Sequence, residues 1–367
     1  MARHCLSLLS GGLDSLLVLR LMVLAGLKVT AVHSVNTFQG TQKLKEKKEG
    51  LRQTALSLGA ADIVFPDITD EVVEVTKRPQ HGYGKHMNAC IDCRMRTVKA
   101  GFAVMQELGA DFIVSGEVTG QRPMSQRRDA IELADREFAA MGVGGLLLRP
   151  LCAKLLPKTI PETEGWVTTD CLFDISGRGR DRQMALAEEI GIRDYPIPAG
   201  GCLLTDPAFA ERLAVMTRYN PEWTKDDAEL LKIGRHYQIS AETKIVASRC
   251  EEENYRLRDL ATPDDRLYIA KDRPGAIVML RGGKTPEAEA IAAGLAVHYS
   301  KMRGDGRATI ESWRVENDDV DKQDFVAELC DPDAARGLER SLTGGNSLKV
   351  MRAAASKRNQ RQHTDNA

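Results

Sequence analysis

Two stretches of the chain combine residue types and spacings that can do chemistry. The first is Leu9-Ser10-Gly11-Gly12-Leu13-Asp14-Ser15. Adjacent glycines let backbone N–H groups converge on an anion, and a helix starting there adds unpaired N–H groups and the positive end of its dipole. Ser10 and Ser15 can supply hydroxyl donors. No lysine follows the glycines, so this is not the G-x-x-x-x-G-K-S/T loop whose lysine reaches terminal phosphates. Asp14 would repel phosphate at a helix start unless it holds a cation, which assigns it to Mg2+. The alternative is an ordinary strand-turn-helix with a capping Ser or Asp.

The second stretch is Asn88-Ala89-Cys90-Ile91-Asp92-Cys93-Arg94, whose C-x-x-C spacing lets one metal centre or one disulfide engage both thiols. A structural zinc wants four ligands, and the chain has no second C-x-x-C. A thioredoxin-like redox pair lacks its short βαβ context here. Cys202, beside Gly200-Gly201, is a third candidate thiol. Three cysteines can hold a 4Fe-4S cluster with one iron open to an exogenous sulfur. Cys93 and Cys202 could instead form a relay, one carrying a persulfide and the other resolving it. Buried, inert thiols are the remaining reading, and it suits Cys5, Cys152, Cys171, Cys250 and Cys330, which sit in apolar or helical contexts.

These residues need elements to hold them. Cys5 to Leu9 is an apolar run of strand length, and Leu16 to Met22 can form a largely buried helix. Strand-like runs recur at Val29–His33, Ile63–Phe65 and Phe112–Ser115, with amphipathic stretches at Lys43–Leu58 and Val98–Leu108 between them. That alternation predicts an α/β fold with a doubly wound parallel sheet, whose ligands bind at the carboxyl ends of the strands. Gly116-Glu117 follows a strand directly and can reach the same crevice. Leu146 to Pro161 reads as an ordered loop and Val167 to Phe173 as a further strand. Asp174-Ile175-Ser176-Gly177-Arg178-Gly179-Arg180, which opens a helix-like run from Asp181 to Ile190, is a second anion site or an exposed cap with solvated arginines.

At 367 residues the chain is long enough for two domains, and its net charge of −1 argues neither for nor against nucleic acid. The leucine-rich start is broken by Asp14, Arg20 and a Gly-Gly turn, and no other stretch reaches the roughly 18 apolar residues of a membrane helix. Eight irregularly spaced cysteines fit reduced thiols or a metal site, so a cytoplasmic protein with no membrane association is expected. The composition of Pro196 to Pro207 suits a rigid loop, which places a first domain at 1–207. A smaller α+β domain follows at 208–315, with helices from Phe209, Asp226 and Pro286 and strands near Lys244, Arg266 and Ala276. Gly282-Gly283-Lys284-Thr285 reads as a hairpin or helix-start turn, because Val278 stands where a Walker loop needs glycine. In this domain Lys232, Arg235, His236, Lys244, Arg249, Arg256 and Arg258 interleave with Tyr237 and Tyr255. They make either a phosphate-tracking surface with stacking residues or a charged solvated face. Residues 316–367 turn acidic and then basic and polar, the composition of a flexible tail.

With these residues collected, the chain resembles the PP-loop family of ATP pyrophosphatase-type enzymes, and within it the tRNA thiouridine synthases. Ser10 to Ser15 matches the motif S-G-G-x-D-S. Ser115 to Gln121, followed by Ser125-Gln126, is similar to the G-E-x-x-G-Q…S-Q segment of the 4-thiouridine synthases, with one extra residue between, and Leu148-Arg149-Pro150-Leu151 matches their R-P-L. Asn88 to Lys99 resembles the cysteine stretch of the 2-thiouridylases, with Ala89 where they have proline, and Gly200-Gly201-Cys202 resembles their second-cysteine loop. Gly234-Arg235 and Ser248 to Asn254 look like the RNA-binding module of the NFACT proteins, with Cys250 in place of the usual Asn.

The resemblance implies ATP on Ser10, Gly11, Gly12, Asp14, Ser15, Gly116 and Gln121, with Mg2+, and catalysis by Asp14, Cys93 and Cys202. A uridine carbonyl oxygen would attack the α-phosphate, pyrophosphate would leave, and sulfur would then displace AMP. Cys90, Cys93 and Cys202 would hold the 4Fe-4S cluster, favoured over the relay because the relay needs only one of the C-x-x-C pair. The expected partners are tRNA, contacted by Arg235, Arg249 and Asn254, and a sulfur donor, either sulfide or a persulfide carrier protein. The 4-thiouridine synthases carry an RNA-binding extension before the loop, so target placement is expected to fall to the second domain here. A homodimer stays open. The competing functions are a PP-loop ligase or amidotransferase acting on a small molecule, and an RNA-binding factor whose loop does not turn over.

Overall fold

Short apolar runs alternating with helical stretches build a parallel sheet covered on both faces in the first part of the chain. The computed structural model describes residues 2–39, 44–195, 202–271, 273–301, 303–315, 321–343, 347–353 and 355. They form two units, one from residues 1–84 and 88–202, the other from 85–87 and 203–367. The first contains β1 (His4–Leu8), α1 (Leu13–Leu24), β2 (Lys28–Val32), α2 (Leu44–Ser57), β3 (Asp62–Val64), α3 (Thr69–Lys77), α4 (Cys90–Leu108), β4 (Phe112–Ser115), α5 (Arg128–Ala140), β5 (Leu147–Leu148), α6 (Ile160–Thr163) and α7 (Asp181–Glu189).

The sheet order is β3-β2-β1-β4-β5 and every pairing is parallel. Both faces of β1 are buried, which is why it reads as a continuous apolar run rather than an alternating one. Cys5 packs on one face with α1 and with Phe112 and Val114 of β4. Leu6 and Leu8 pack on the other with Met95, Val98 and Phe102 of α4 and Phe138 of α5. Connections leave β1 in opposite directions, toward β2 on one side and β4 on the other, and such a switch point opens a crevice at the carboxyl ends of the strands. Leu8 is level with Ser115 in the register, so Leu9-Ser10 and Gly116-Glu117 leave the sheet side by side.

The second unit contains α8 (Pro207–Tyr219), α9 (Lys225–Leu230), β6 (Arg235–Gln238), β7 (Thr243–Ala247), α10 (Glu251–Asp259), β8 (Arg266–Ala270), β9 (Val278–Gly282), α11 (Pro286–His298), β10 (Arg307–Arg314), β11 (Gln323–Glu328) and α12 (Pro332–Thr343). Its sheet, ordered β11-β10-β8-β9-β7-β6, is antiparallel throughout. The alanines of α11 (Ala288, Ala292, Ala293 and Ala296) let the helix lie close on that sheet. Thr285 caps it by accepting from Ala288 N at 3.2 Å, so the Gly282–Thr285 segment is a helix-start turn.

Four expectations change. The cysteine stretch lies on α4 itself, which begins at Cys90 and not at Val98, because the buried line Met95, Val98, Phe102, Met105 already sets the helix and its polar first turn hides the periodicity. Within Leu146–Pro161, β5 and a 3-10 segment at Pro150–Leu155 replace the loop. The strand expected at Val167–Phe173 is instead a 3-10 turn at Thr169–Cys171, whose backbone bonds locally through Cys171 N to Thr168 O at 3.2 Å. The tail expected from 316 is ordered in part. β11 pairs with β10, and α12 buries Ala335, accepts Tyr219 Oη on Leu342 O at 3.0 Å and receives Gln238 N on Glu339 at 3.0 Å. An edge strand and an amphipathic helix gain their burial from distant partners, which composition does not register. The first part of the expected rigid loop, residues 196–201, lies outside the described residues, as do 356–367.

Candidate active site: the loop after β1 and the cysteine turn

The turn between β1 and α1 is built by its own side chains. Gly11 sits at φ +84°, a left-handed conformation that L side chains rarely adopt, and a Cβ there would come within 2.9 Å of Leu51 Cδ2. Ser15 Oγ donates to Gly12 O at 2.8 Å and accepts from Ser10 N at 3.2 Å, while the Ser10 and Ser15 hydroxyls lie 3.1 Å apart. Gly12 N donates to Ser10 Oγ at 3.3 Å. The two serines therefore rigidify the loop; Ser15 N already donates to Gly12 O at 3.0 Å, which leaves the N–H groups of Leu13 and Asp14, at the start of α1, for an anion. His33 supports the base of the loop through a 2.7 Å hydrogen bond between Nδ1 and Leu9 O, and burial holds its pKa below the usual value, so the ring is the neutral donor.

Asp14 faces this loop from the first turn of α1. Its Oδ2 accepts from Gln121 Nε2 at 2.7 Å, and Gln121 Oε1 in turn accepts from Gln183 Nε2 at 3.3 Å on α7. Its Oδ1 is buried with no partner among the described residues. Gly116 is required by a close approach: a Cβ there would stand 2.5 to 2.7 Å from the backbone of Asp14 and Ser15. The chain leaving β4 thus lies directly against the start of α1.

Glu117 comes next and is buried, so its charge needs partners. It accepts from Arg94 Nε at 2.6 Å, Arg149 Nε at 2.9 Å and Ser115 Oγ at 3.2 Å. Burial alone would raise its pKa. The two guanidiniums overcome that and hold the carboxyl down to about 2. Arg149 closes the network with a two-pronged bond to Asp135 at 3.0 and 2.8 Å. Arg94 immediately follows Cys93 on α4, so one buried carboxylate joins the end of β4 to the cysteine turn.

Cys90 and Cys93 occupy the first turn of α4 as part-exposed free thiols, and Cys202 is a third part-exposed cysteine. Burial pushes the Cys93 thiol up to about 12, with Cys202 and then Cys90 adding to the rise and Arg94 opposing it. Burial also raises Cys90, against a hydrogen bond from Asn88 and the charge of Arg122. The three thiols are therefore near enough to disfavour one another's ionisation. Asp92, between the cysteines, is buried and accepts from Gln80 N, His81 N and His81 Nδ1, each at 3.1 Å, which fixes the turn. Among the described residues no three His, Cys, Asp or Glu side chains converge as ligands of one metal ion.

In the second unit Arg235 donates to Ser248 O at 3.1 Å and lies over the Tyr299 ring at 4.5 Å. Arg249 is bound to Glu253, whose carboxylate also accepts from Gly234 N at 3.1 Å and Arg249 N at 2.7 Å. Asn254 spends its amide internally, accepting from Ile277 N at 2.9 Å and Ser248 Oγ and donating to Gly275 O at 3.2 Å. Burial, followed by the charges of Lys244, Arg212 and Arg249, holds His236 far below its usual pKa, so a neutral ring sits inside a basic cluster. Tyr237, expected to stack on bases, is fully buried and shares a 2.6 Å hydrogen bond with Tyr299, whereas Tyr255 is exposed.

The structure brings Ser10, Gly11, Gly12, Asp14, Ser15, Gly116 and Gln121 to one corner of the sheet and couples Cys93 to Cys90 and Cys202. The sequence reading missed the ion-pair roles of Arg94, Asp135 and Arg149 and the support from Gln183. A glutamate directly after a buried strand and an arginine inside Leu146–Leu151 were the available signals, since each demands a partner of opposite charge.

Residues 1–154 match the family described as thiamine biosynthesis protein (ThiI), and residues 234–328 match the NFACT protein RNA binding domain. No curated protein matches the chain. Among solved structures, the C-terminal part of the fibronectin/fibrinogen-binding protein from Streptococcus suis aligns at 14% identity and a TM-score of 0.25, covering 68% of this chain and 98% of that one. A 4-thiouridine synthetase–RNA complex with bound ATP aligns at 15% identity and a TM-score of 0.31, covering 52% of each chain, so this chain spans about half of that one. The chain is thus similar to the ThiI family over residues 1–154 and to the NFACT RNA binding domain over residues 234–328.

Proposed function

We propose that the chain is an ATP-dependent tRNA uridine thiolase. The observation that carries this is the pairing of a prearranged Ser10–Ser15 loop with a free-thiol turn, joined through Gly116, Glu117 and Arg94. ATP binds on Gly11-Gly12 and the opening N–H groups of α1. The uridine carbonyl oxygen attacks the α-phosphorus, the bond to the bridging oxygen breaks, and pyrophosphate leaves with the electron pair. Adenylation turns a poor leaving oxygen into a good one, and sulfur then replaces AMP. The fixed loop donors stabilise charge on the transferring phosphorus without reorganising.

Asp14 is the residue that would hold Mg2+, and its unpartnered Oδ1 suits a cation ligand. Cys90, Cys93 and Cys202 fit a 4Fe-4S cluster by donor type, and such a cluster supplies an open iron for the sulfur. A cysteine-persulfide relay is the second reading, supported by the nearness of Cys202 to Cys93. The basic cluster of Arg212, Lys244 and Arg249, with Arg235, supports tRNA binding by the second domain, while Asn254, whose amide is satisfied internally, serves the fold. No helix among the described residues is long and apolar enough to cross a membrane, and the cytoplasm suits free thiols and a tRNA substrate. We place the domain division at residues 202–207, with β11 and α12 inside the second domain, and take the sulfur donor to be either sulfide or a persulfide carrier.

Mass spectrometry of tRNA nucleosides from a deletion strain tests the function: one thionucleoside should disappear and return with the wild-type chain but not with Cys93→Ala. An unchanged nucleoside profile would sink it. Iron and sulfide analysis of anaerobically purified protein separates the two readings, because the relay predicts activity without iron.

A further inference from the structure

A phosphate cradle without a lysine still has to face the charge of a triphosphate. The second glycine-arginine turn of the sequence, Ser176-Gly177-Arg178-Gly179-Arg180, is brought to the first by the fold. Ser176 bridges to Thr119 in parallel, and Gly177 N donates to Thr119 O at 2.8 Å. That pins the turn to the segment whose Gln121 holds Asp14. The two anion-binding candidates of the sequence therefore share one place.

The three arginines here differ in their surroundings. Arg178 is exposed, and Arg182 is bound to Asp174 at 2.6 Å. Arg180, 26% exposed, is turned inward with Nη2 at 3.9 Å from Asp14 Oδ2. That is the separation of a loose ion pair without a hydrogen bond. The guanidinium is thus parked over the cradle by Asp14 and not locked there. Gln121, itself held by the fully buried Gln183, donates to the same carboxylate oxygen at 2.7 Å.

We propose that Arg180 is the cation the loop lacks, its guanidinium binding the β- and γ-phosphates of ATP and staying with pyrophosphate as it leaves. This rests on the nucleotide reading of Ser10–Ser15 given above. An arginine suits the task because its planar fork pairs with two phosphate oxygens at once and is charged at every working pH. A polyphosphate carries more charge than one carboxylate and draws the guanidinium from Asp14 when it binds. As the α-phosphorus bond to the bridging oxygen breaks, the electron pair goes to pyrophosphate, where Arg180 stands.

The test is calorimetric titration of the full chain in magnesium buffer with ATP, pyrophosphate and AMP. Arg180→Ala should weaken ATP and pyrophosphate by about 10- to 100-fold while changing AMP by less than about twofold. Arg180→Lys should lose less, because it keeps the charge and loses the fork, and Arg182→Ala should bind all three as wild type does. Circular dichroism reports whether each variant folds. If Arg180→Ala does not, Arg180→Lys decides: weaker ATP with unchanged AMP supports the role, and unchanged ATP overturns it. Equal losses of ATP and AMP would also overturn it, since they report damage to the site and not a missing phosphate contact. A wild-type chain that binds neither ATP nor pyrophosphate removes the nucleotide reading and this inference together. A wild-type chain that binds ATP, with variants that match it, removes this inference alone.

Discussion

Glu117→Gln keeps the shape of the side chain that joins β4, α4 and β5, and removes only its charge. The carboxyl is held from 4.5 down to about 2 by Arg94 and Arg149. At 1.36 kcal/mol per unit, that depression corresponds to about 3 kcal/mol of stability at neutral pH. The variant also leaves Arg149, 4% exposed, with Asp135 as its remaining partner. Breaking one side of a buried pair costs about 3–5 kcal/mol in general, so the two estimates agree. Because the folded pKa is depressed, the contribution is fully present above the unfolded value near 4.5 and is lost as pH falls through about 2. Hydrogen exchange of the β1 and β4 peptides reads the opening of the first unit without interference from the second. Wild type should exceed Glu117→Gln by about 3 kcal/mol at pH 7, and the gap should close between pH 4.5 and 2. The double replacement Glu117→Leu, Arg149→Met should recover part of the loss, since Asp135 is 43% exposed and Arg94 20% exposed and both can turn to water. A gap under about 1 kcal/mol, or one independent of pH, would show that the network carries no net stability and refute the reasoning.

Three further outcomes follow from the geometry. Gly116→Ala puts a methyl 2.5 Å from the Asp14 carbonyl carbon, where only backbone can yield, and should cost about 1–3 kcal/mol or displace the α1 start and abolish ATP binding; a variant that titrates ATP like wild type would show the approach is looser than stated. Asn254→Ala removes the acceptor of Ile277 N and should weaken the second unit by about 1–3 kcal/mol, seen as faster hydrogen exchange across the Gly275–Val278 peptide. Arg235→Ala, if that side chain meets phosphate, should weaken tRNA binding evenly across sequences and reduce the salt slope by about 1.

How much of this was legible follows from what kind of signal each feature leaves. The β1 loop could be read because its glycines and serines act through neighbours in the sequence: Ser15 reaches Gly12 and Ser10 without help from elsewhere. The parallel sheet could be read because its strands, buried on both faces, are mostly apolar and recur between helical stretches. The start of α4 was hidden by polar residues that face the site. β11 and α12 were hidden because the composition of the segment suggested a tail, and its order comes from β10 and β6, which lie beside it only in the fold. The partners of Glu117 lie 23 and 32 residues away, a separation at which no local pattern links them. Tyr237 illustrates the opposite error, since the charged residues around it suggested exposure, whereas Tyr237 and Gln238 form the buried end of β6.

The contacts at Gly116 and Glu117 also bear on how the two halves of the proposed reaction are kept in step. In the proposed reaction adenylation would take place on the loop after β1 and sulfur delivery at the start of α4, which are separate chain segments. Gly116 fixes the first by backbone contact with α1, and Glu117, the very next residue, fixes the second through Arg94, adjacent to Cys93. Two consecutive residues at the end of one strand thus set the distance between both sites, and rotating one requires moving the other. An arrangement of this kind pre-positions the reacting groups before substrate arrives, which is where proximity and fixed dipoles lower a barrier most. It follows that Glu117→Gln should slow sulfur transfer more than ATP binding, because the loop keeps its serine bonds while Arg94 loses its anchor.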